Sequence, residues 1–356
     1  MIILDNIIFS IQKTGGVSVV WEELLNRLLS QSKYNIQCIE YDVRNNINRS
    51  RIQIPLGIIS KNKKYLPFYR YLPVRIAEHE KFIFHSSYYR YCKNRNAINI
   101  TTVHDFIYEY YFKGIRKNVH FLQKKYAIQN SDYIIAISEN TKKDILTFFP
   151  NIDEKRIRVV YNGVSDDYFC LLKEMTVPSL PFDKYSYILF VGSRVSYKNF
   201  DLVVKAVARS KYNLVIVGAP LTNCEKRLLS ENFNDTTRCK YVGYTSNYNL
   251  NILYNYAFSL IYPSSYEGFG IPVIEAQKAG CPVIAANLSS IPEIIGSTPL
   301  LLNDLSIDCI LDCLHILEDN VVRSNIINCG LYNSKRYSWD KMFEQVTDIY
   351  DEALSF

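Results

Sequence analysis

Short apolar runs alternate with amphipathic stretches along the whole chain. In the first half the runs IILD (2–5), IQCIEY (36–41), FIFHSS (82–87), INITTVH (98–104), YIIAIS (133–138) and IRVVYNG (157–163) have strand length. Helical spacing lies between them, clearest over 17–29, where Val20, Leu24, Leu25 and Leu28 share a face. Asp166-Asp167 and the proline-bearing VPSLPF (177–182) then read as a linker. A second set follows: YILFVG (187–192), NLVIVG (213–218), CKYVGY (239–244), FSLIYPS (258–264), PVIAAN (282–287) and LLLND (300–304). Strands separated by helices predict parallel sheets covered on both faces. The pattern is therefore α/β, with two doubly wound, Rossmann-like domains. The boundaries expected are 1–170, a linker at 171–184, a second domain at 185–336, and a terminal helix within 337–356 that crosses back to the first domain. Ligands in such folds bind beyond the carboxyl ends of the strands, in a cleft.

Length and composition sharpen this picture. At 356 residues the chain exceeds one usual core, and 48% hydrophobic with 21% charged residues excludes a disordered chain. The longest apolar runs fall short of the ~20 residues of a membrane helix. Asp5 and Asn6 interrupt the first run, so no signal peptide is expected and a cytoplasmic location is. Nine cysteines stand singly, without a CxxC pair, which argues against a disulfide framework or a zinc site. Cys309 and Cys313 read as packing residues, and His79, His120 and His315 as structural. The net charge of +6 is uneven: residues 1–170 carry +9 and residues 171–356 carry −3.

The richest segment is FSLIYPSSYEGFGIPVIEAQKAGCPVIAANLSSIPE (258–293). A strand leads through a glycine-bearing loop into a helix expected to start at Pro272 and stop before Gly280. Such a helix start offers free amides and a positive dipole end to a ligand. Glu267 precedes the helix, and Glu275 is placed in its first turn. Each carboxylate could orient sugar hydroxyls; the plainer alternative for Glu275 is dipole complementation.

The runs EGFGIPVIEA, GCPVIAAN and SSIPE resemble the retaining glycosyltransferases of family 4, whose fold is GT-B, two Rossmann-like domains facing across a cleft. The resemblance extends through GSRVSYKN (192–199), VYNGV (160–164), SENTKKDI (138–145), TVHDF (102–106) and TGGV (14–17). It implies that Arg194 and Lys198 grip the donor diphosphate and that Glu275 binds the ribose. Glu267 would lie near the sugar, with backbone amides of Gly268, Phe269, Gly270 and Ile271 beside it. Gly15 and Gly16 resemble the loop that closes over phosphates and acceptor. His104 is similar to the histidine that meets the transferred sugar, with general-base duty left unassigned. Catalytic work is thus expected of His104, Glu267, Arg194 and Lys198. The family needs no metal, and no Asp-x-Asp pattern occurs, so basic side chains and helix dipoles must balance the diphosphate.

The form GSRVSYKN resembles surface-polysaccharide enzymes that include mannosyltransferases, which makes GDP-mannose the first donor expected and a UDP-sugar the second. The acceptor expected is a hydroxyl of a saccharide, lipid-linked, in O-antigen or capsule synthesis. No resident cofactor and no nucleic-acid partner are expected. The run KNKKYLPFYRYLPVR (61–75) has five basic residues and no acidic one among seven large apolar side chains. It suits an anionic membrane surface, or else a solvated loop with its aromatics tucked in, and 113–125 is a second basic stretch. Two rivals remain at this level: a GT-B-like nucleotide-sugar epimerase, and a non-enzymatic basic nucleic-acid-binding protein.

Overall fold

The computed structural model describes residues 1–41, 46–63, 67–172 and 179–355. The chain divides into two compact units. One comprises Met1–Gly163 with Trp339–Phe356, and the other comprises Val164–Ser338.

The first unit holds a seven-stranded sheet of β1 (Ile2–Asp5), β2 (Ile36–Tyr41), β3 (Ile59–Lys63), β4 (Phe82–Ser86), β5 (Ala97–Val103), β6 (Tyr133–Ala136) and β7 (Ile157–Val159). Its order is β3-β2-β1-β4-β5-β6-β7 and every pairing is parallel. The second holds β8 (Tyr187–Val191), β9 (Asn213–Val217), β10 (Cys239–Gly243), β11 (Ser259–Tyr262), β12 (Val283–Ala286) and β13 (Leu301–Leu302). These follow β10-β9-β8-β11-β12-β13, again all parallel. Each sheet reverses its winding beside its first strand. That places switch-point crevices between β1 and β4 and between β8 and β11.

All twelve apolar runs became strands. The thirteenth, β3, has the sequence ISKNK and pairs along the edge of β2. A Lys-rich edge strand has no apolar run to announce it, because such edges are kept polar against stray pairing. The interior of the second unit shows how the pattern folds. Ile188, Phe190, Ile216, Ile261 and Ile284 from the strands meet Val203, Val207, Ile310 and Leu314 from the helices Phe200–Ala208 and Ile307–Ile316.

The first unit ends at Gly163, ahead of the boundary at 170 that the linker pattern implied. The cause is an asparagine ladder on helix Asn247–Tyr256. Asn247 donates to Asp167 (2.8 Å), Asn251 accepts from the Phe169 amide (3.1 Å), and Asn255 accepts from the Leu171 amide (2.8 Å). Three asparagines four residues apart thus clip residues 167–171 along the helix, and Lys278 holds Asp166 at 2.5 Å. Residues 173–178 of the expected linker lie outside the described residues. The terminal helix Trp339–Ser355 packs in the first unit, where Tyr350 meets buried His85 and Asp351 pairs with Lys33. No described helix is long and apolar enough to cross a membrane.

Candidate functional site

In the second unit, the loop after β8 and the loop after β11 meet at the switch point. Lys198 places its ammonium on the Glu267 carboxylate and on the Tyr262 hydroxyl, the latter at 3.0 Å. Both side chains of the ion pair are largely buried. Asn199, in the left-handed region at φ 51°, donates to the Pro263 carbonyl (2.7 Å) and to Ser265 Oγ (2.8 Å). The Ser265 amide returns a bond to Tyr197 O at 2.7 Å. Two segments sixty residues and more apart in sequence therefore form one rigid rim.

Beyond that rim the EGFG loop is held from beneath. The Glu267 amide donates to Ser289 Oγ (2.8 Å), and Ser290 donates to the carbonyls of Glu267 (2.9 Å) and Phe269 (3.0 Å). This is what the serines of SSIPE do. Gly270 caps helix Ile271–Lys278 at φ 101°, and a Cβ there would stand 2.7 Å from Ile291 Cδ1. Both facts require glycine. The Phe269 ring is buried edge-on to Tyr337, 5.7 Å between centroids, so only its backbone is available to a ligand.

The helix begins at Ile271, with Pro272 second, and Glu275 is its fifth residue. It therefore lies past the first turn, where the sequence reading placed it, and dipole complementation explains it less well. Its carboxylate accepts from Tyr254 Oη at 3.1 Å and from the Tyr168 hydroxyl. Burial pushes it up to about 7, against the opposing pull of these two hydroxyls. Tyr168 and Tyr254 were not singled out from sequence. The only signal was their position, one just after the VYNGV run and one on the asparagine-ladder helix.

Arg194 is more constrained than a phosphate-gripping arginine in open solvent. Its Nε pairs with Glu225 at 2.8 Å, and its Nη2 donates to the carbonyls of Ala219 (2.6 Å) and Pro220 (2.9 Å). Glu225 also completes a capping box with Thr222. Arg194 thus fixes the loop after β9 beside the loop after β8, while Nη1 is a buried donor with no partner among the described residues. Gly192 and Gly218 end these strands at φ 120° and 138°, and a Cβ on Gly218 would meet the Gly192 carbonyl at 2.5 Å.

In the first unit, His104 follows β5, and Gly15 and Gly16 open helix Gly16–Ser30. A cavity beyond the strand ends is lined by Val17, Trp21, His85, Ser86, His104 and Asn162, among others. His104 and the glycine loop's helix therefore share one concavity. Nothing lies within 4 Å of a Cβ built on Gly16. Burial and the nearby Lys124 charge push His104 down to about 4, so its imidazole is neutral at physiological pH. The fully buried Lys124 donates to the Asp105 carbonyl (2.6 Å) and pairs with buried Glu109 (2.8 Å), which anchors the loop next to His104. His85 bridges Tyr350 Oη (2.7 Å) and Thr102 Oγ1 (3.0 Å), and burial pushes it down to about 3. Asp5, at the end of β1, pairs with Arg90 at 2.9 Å and accepts from Ser86 at 2.8 Å. This buried network at the strand ends was also missed, since its members are scattered over three strands.

Of the residues set aside as structural, His79 and His315 are exposed, while the others are packed. His120 lies between Glu109 (3.3 Å) and Tyr88 (3.1 Å), and Cys313 is buried in the second core with Cys309 packed against it. Among the described residues, no group of three or more His, Cys, Asp or Glu is placed to hold a metal ion.

Comparison with known proteins places this geometry. Residues 14–168 match the model of Glycosyltransferase Family 4, and residues 173–303 match that of Glycosyl transferases group 1. The chain belongs to this glycosyltransferase family. It is 27% identical over 321 residues to O-antigen chain mannosyltransferase B of Escherichia coli, covering 83% of this chain and 82% of that one. It is 28% identical to O-antigen chain mannosyltransferase RfbU of Salmonella typhimurium, over 71% and 69% of the two chains. Among solved structures, sucrose-phosphate synthase of Thermosynechococcus elongatus matches with a TM-score of 0.75, 16% identity and 99% coverage of both chains. Anabaena HepE in complex with UDP and glucose matches at 0.69, with 14% identity over 98% of each. These likenesses establish the GT-B type of two-domain α/β fold. The matched glycosyltransferase models favour that class over the nucleic-acid-binding and epimerase readings.

Proposed function

We propose that this glycosyltransferase moves a hexose, with retention of configuration, from a nucleotide-diphosphate sugar to a hydroxyl of a lipid-linked saccharide in O-antigen or capsule synthesis. GDP-mannose is the first donor and a UDP-sugar the second. The mannosyltransferase names of the relatives support the first; the UDP and glucose in the HepE structure, on a shared fold alone, keep the second.

The observation that carries the reading is the Lys198–Glu267 pair at the second switch point, one loop away from the amide end of helix Ile271–Lys278. A diphosphate arriving there takes the Lys198 ammonium, and this charge stabilises the leaving nucleotide as its bond to the sugar breaks. Glu267, released from the lysine, accepts from sugar hydroxyls, and the amides of Gly268 to Ile271 face sugar and phosphate. The Glu275 carboxylate accepts from the ribose hydroxyls. Arg194 orders the adjoining loop and offers Nη1 to the phosphates. His104, neutral and next to the glycine helix, meets the transferred sugar, and Gly15 and Gly16 leave room at the helix start for acceptor and phosphate. Charge balance then comes from protein groups, so transfer is proposed to be metal-independent and to survive EDTA. The protein works in the cytoplasm, at the inner face of the membrane.

A melting-temperature panel of GDP-, UDP- and dTDP-sugars tests the donor. Ligand at a hundred times its Kd adds about 2.7 kcal/mol of stability, a readily measured shift. GDP-mannose is expected to stabilise most; a larger shift with a UDP-sugar transfers the assignment to that donor. The anomeric configuration of the product, read by NMR, tests retention.

A further inference from the structure

Helix Ile115–Gln129 turns its polar residues inward. His120, Gln123 and Lys124 are buried with Ala127 and Ile128; His120 and Lys124 bond Glu109, Tyr88 and the Asp105 carbonyl, and Gln123 donates to the Tyr89 carbonyl. Outward stand Ile115 (82% exposed), Val119, Leu122 and Tyr126 (55% exposed). At 3.6 residues per turn these four fall within an arc of roughly 60°, opposite the buried face. Arg116 and Lys125 flank the stripe on either side, with Lys113 and Lys117 at its start, and no acidic residue occurs between 110 and 131.

The stripe does not stand alone. From the buried side of the same helix, Gln123 donates to the Arg70 carbonyl, and Arg70 donates to Tyr88 Oη (2.9 Å), which in turn meets His120. These bonds moor the turn Pro67–Tyr71 and its neighbour Leu72 to the helix, and Phe68, Tyr71 and Leu72 there are exposed. The turn thus presents its own exposed apolar side chains on an element bonded to this helix. Lys64, Tyr65 and Leu66 of the basic run lie outside the described residues.

We propose that this face is an interfacial membrane-binding surface. Ile115, Val119, Leu122 and Tyr126 sit among the headgroups of an anionic bilayer, and Arg116 and Lys125 sit at the level of the lipid phosphates. Charge selects this occupant. A two-fold contact between copies would press the same cationic rim on itself, whereas an anionic bilayer accepts both the cations and the apolar stripe. The first unit as a whole has 26 basic and 19 acidic residues, and so favours an anionic surface. The inference gives the lipid-linked acceptor reading its location, and relies on that reading for its purpose only.

The test is co-sedimentation of the full-length protein with vesicles of phosphatidylcholine, alone or mixed with phosphatidylglycerol. The wild type is expected to bind the mixed vesicles and not the neutral ones. The exposed pairs Ile115→Ser with Leu122→Ser, and Arg116→Gln with Lys125→Gln, should each lower partitioning by ~10-fold or more. Melting temperature and nucleotide-induced stabilisation should stay at wild-type values in both. Wild-type protein that ignores mixed vesicles, or double variants that bind like wild type, would overturn the proposal. So would a wild-type dimer that the Ile115/Leu122 variant dissociates, which would assign the face to a second copy. Vesicle binding as expected with no nucleotide stabilisation would sink the donor reading and leave this one standing.

Discussion

In the proposed function, Lys198 is the side chain on which the donor chemistry turns. Among the described residues it pairs with the Glu267 carboxylate and also meets the Tyr262 hydroxyl and the rings of Tyr197 and Tyr262, so a diphosphate competes with that ion pair. Lys198→Ala is expected to lower kcat/KM by ~100-fold or more, the usual scale for losing one preorganised charge at a developing anion. Near-normal turnover would remove Lys198 from the site. Glu275 adds a pH signature. Its carboxyl is raised to about 7, so the folded protein holds a proton between about 4.5 and 7 that the unfolded chain has lost. This group's contribution to stability therefore falls as pH rises through that window. In the proposed role the ribose hydroxyls bind the ionised form, so nucleotide affinity should rise as pH passes about 7. Calorimetric titration across that range should show the rise in wild type and a flat profile in Glu275→Gln. Arg194, by contrast, holds two carbonyls and a glutamate, and part of its value is the shape of the loop.

At the scale of elements, what could be read from sequence depended on how local the cause was. The central strands were legible because two-sided burial demands an apolar run; β10, at a sheet edge, carries one although its residues are largely exposed. Also legible were the glycine loop and proline of 268–272, because a left-handed cap and a helix start have their own residues. Strand β3 was hidden by the lysines of an edge. Tyr168 and Tyr254, which hold Glu275, and the network around Asp5 and Arg90 were hidden for another reason. Their partners come from helices, strands and loops far apart in sequence, and no spacing rule joins them. The asparagine ladder was visible as three Asn four apart, but its partner segment was not. Because Asn251 is fully buried and takes the Phe169 amide, Asn251→Ala should cost about 1–3 kcal/mol in urea unfolding. Gly270→Ala should cost about the same from its φ alone, before the contact with Ile291 is counted.

For the whole molecule, the opening charge asymmetry changes once the terminal helix is placed. Trp339–Ser355 brings acidic residues onto the first unit, where Asp351 meets Lys33, Glu352 meets Arg158 at 3.0 Å and Asp340 meets Arg27 at 2.7 Å. The excess falls from +9 over residues 1–170 to +7 over the first unit, and the second unit carries −1. The same helix plugs Tyr350 onto His85, and Tyr350→Phe should destabilise the protein by about 1–3 kcal/mol in thermal unfolding by leaving a buried imidazole nitrogen short of a partner. The proposed donor site draws Lys198 and Arg194 from a nearly neutral unit; the excess of positive charge lies in the other. The most direct measurement is release of nucleoside diphosphate from GDP-mannose, in the presence of EDTA and a lipid-linked saccharide acceptor, by wild type and Lys198→Ala side by side. Acceptor-dependent release by wild type, reduced ~100-fold or more in the variant, is the predicted result. Wild-type release that EDTA abolishes, or equal release by the two proteins, would contradict it.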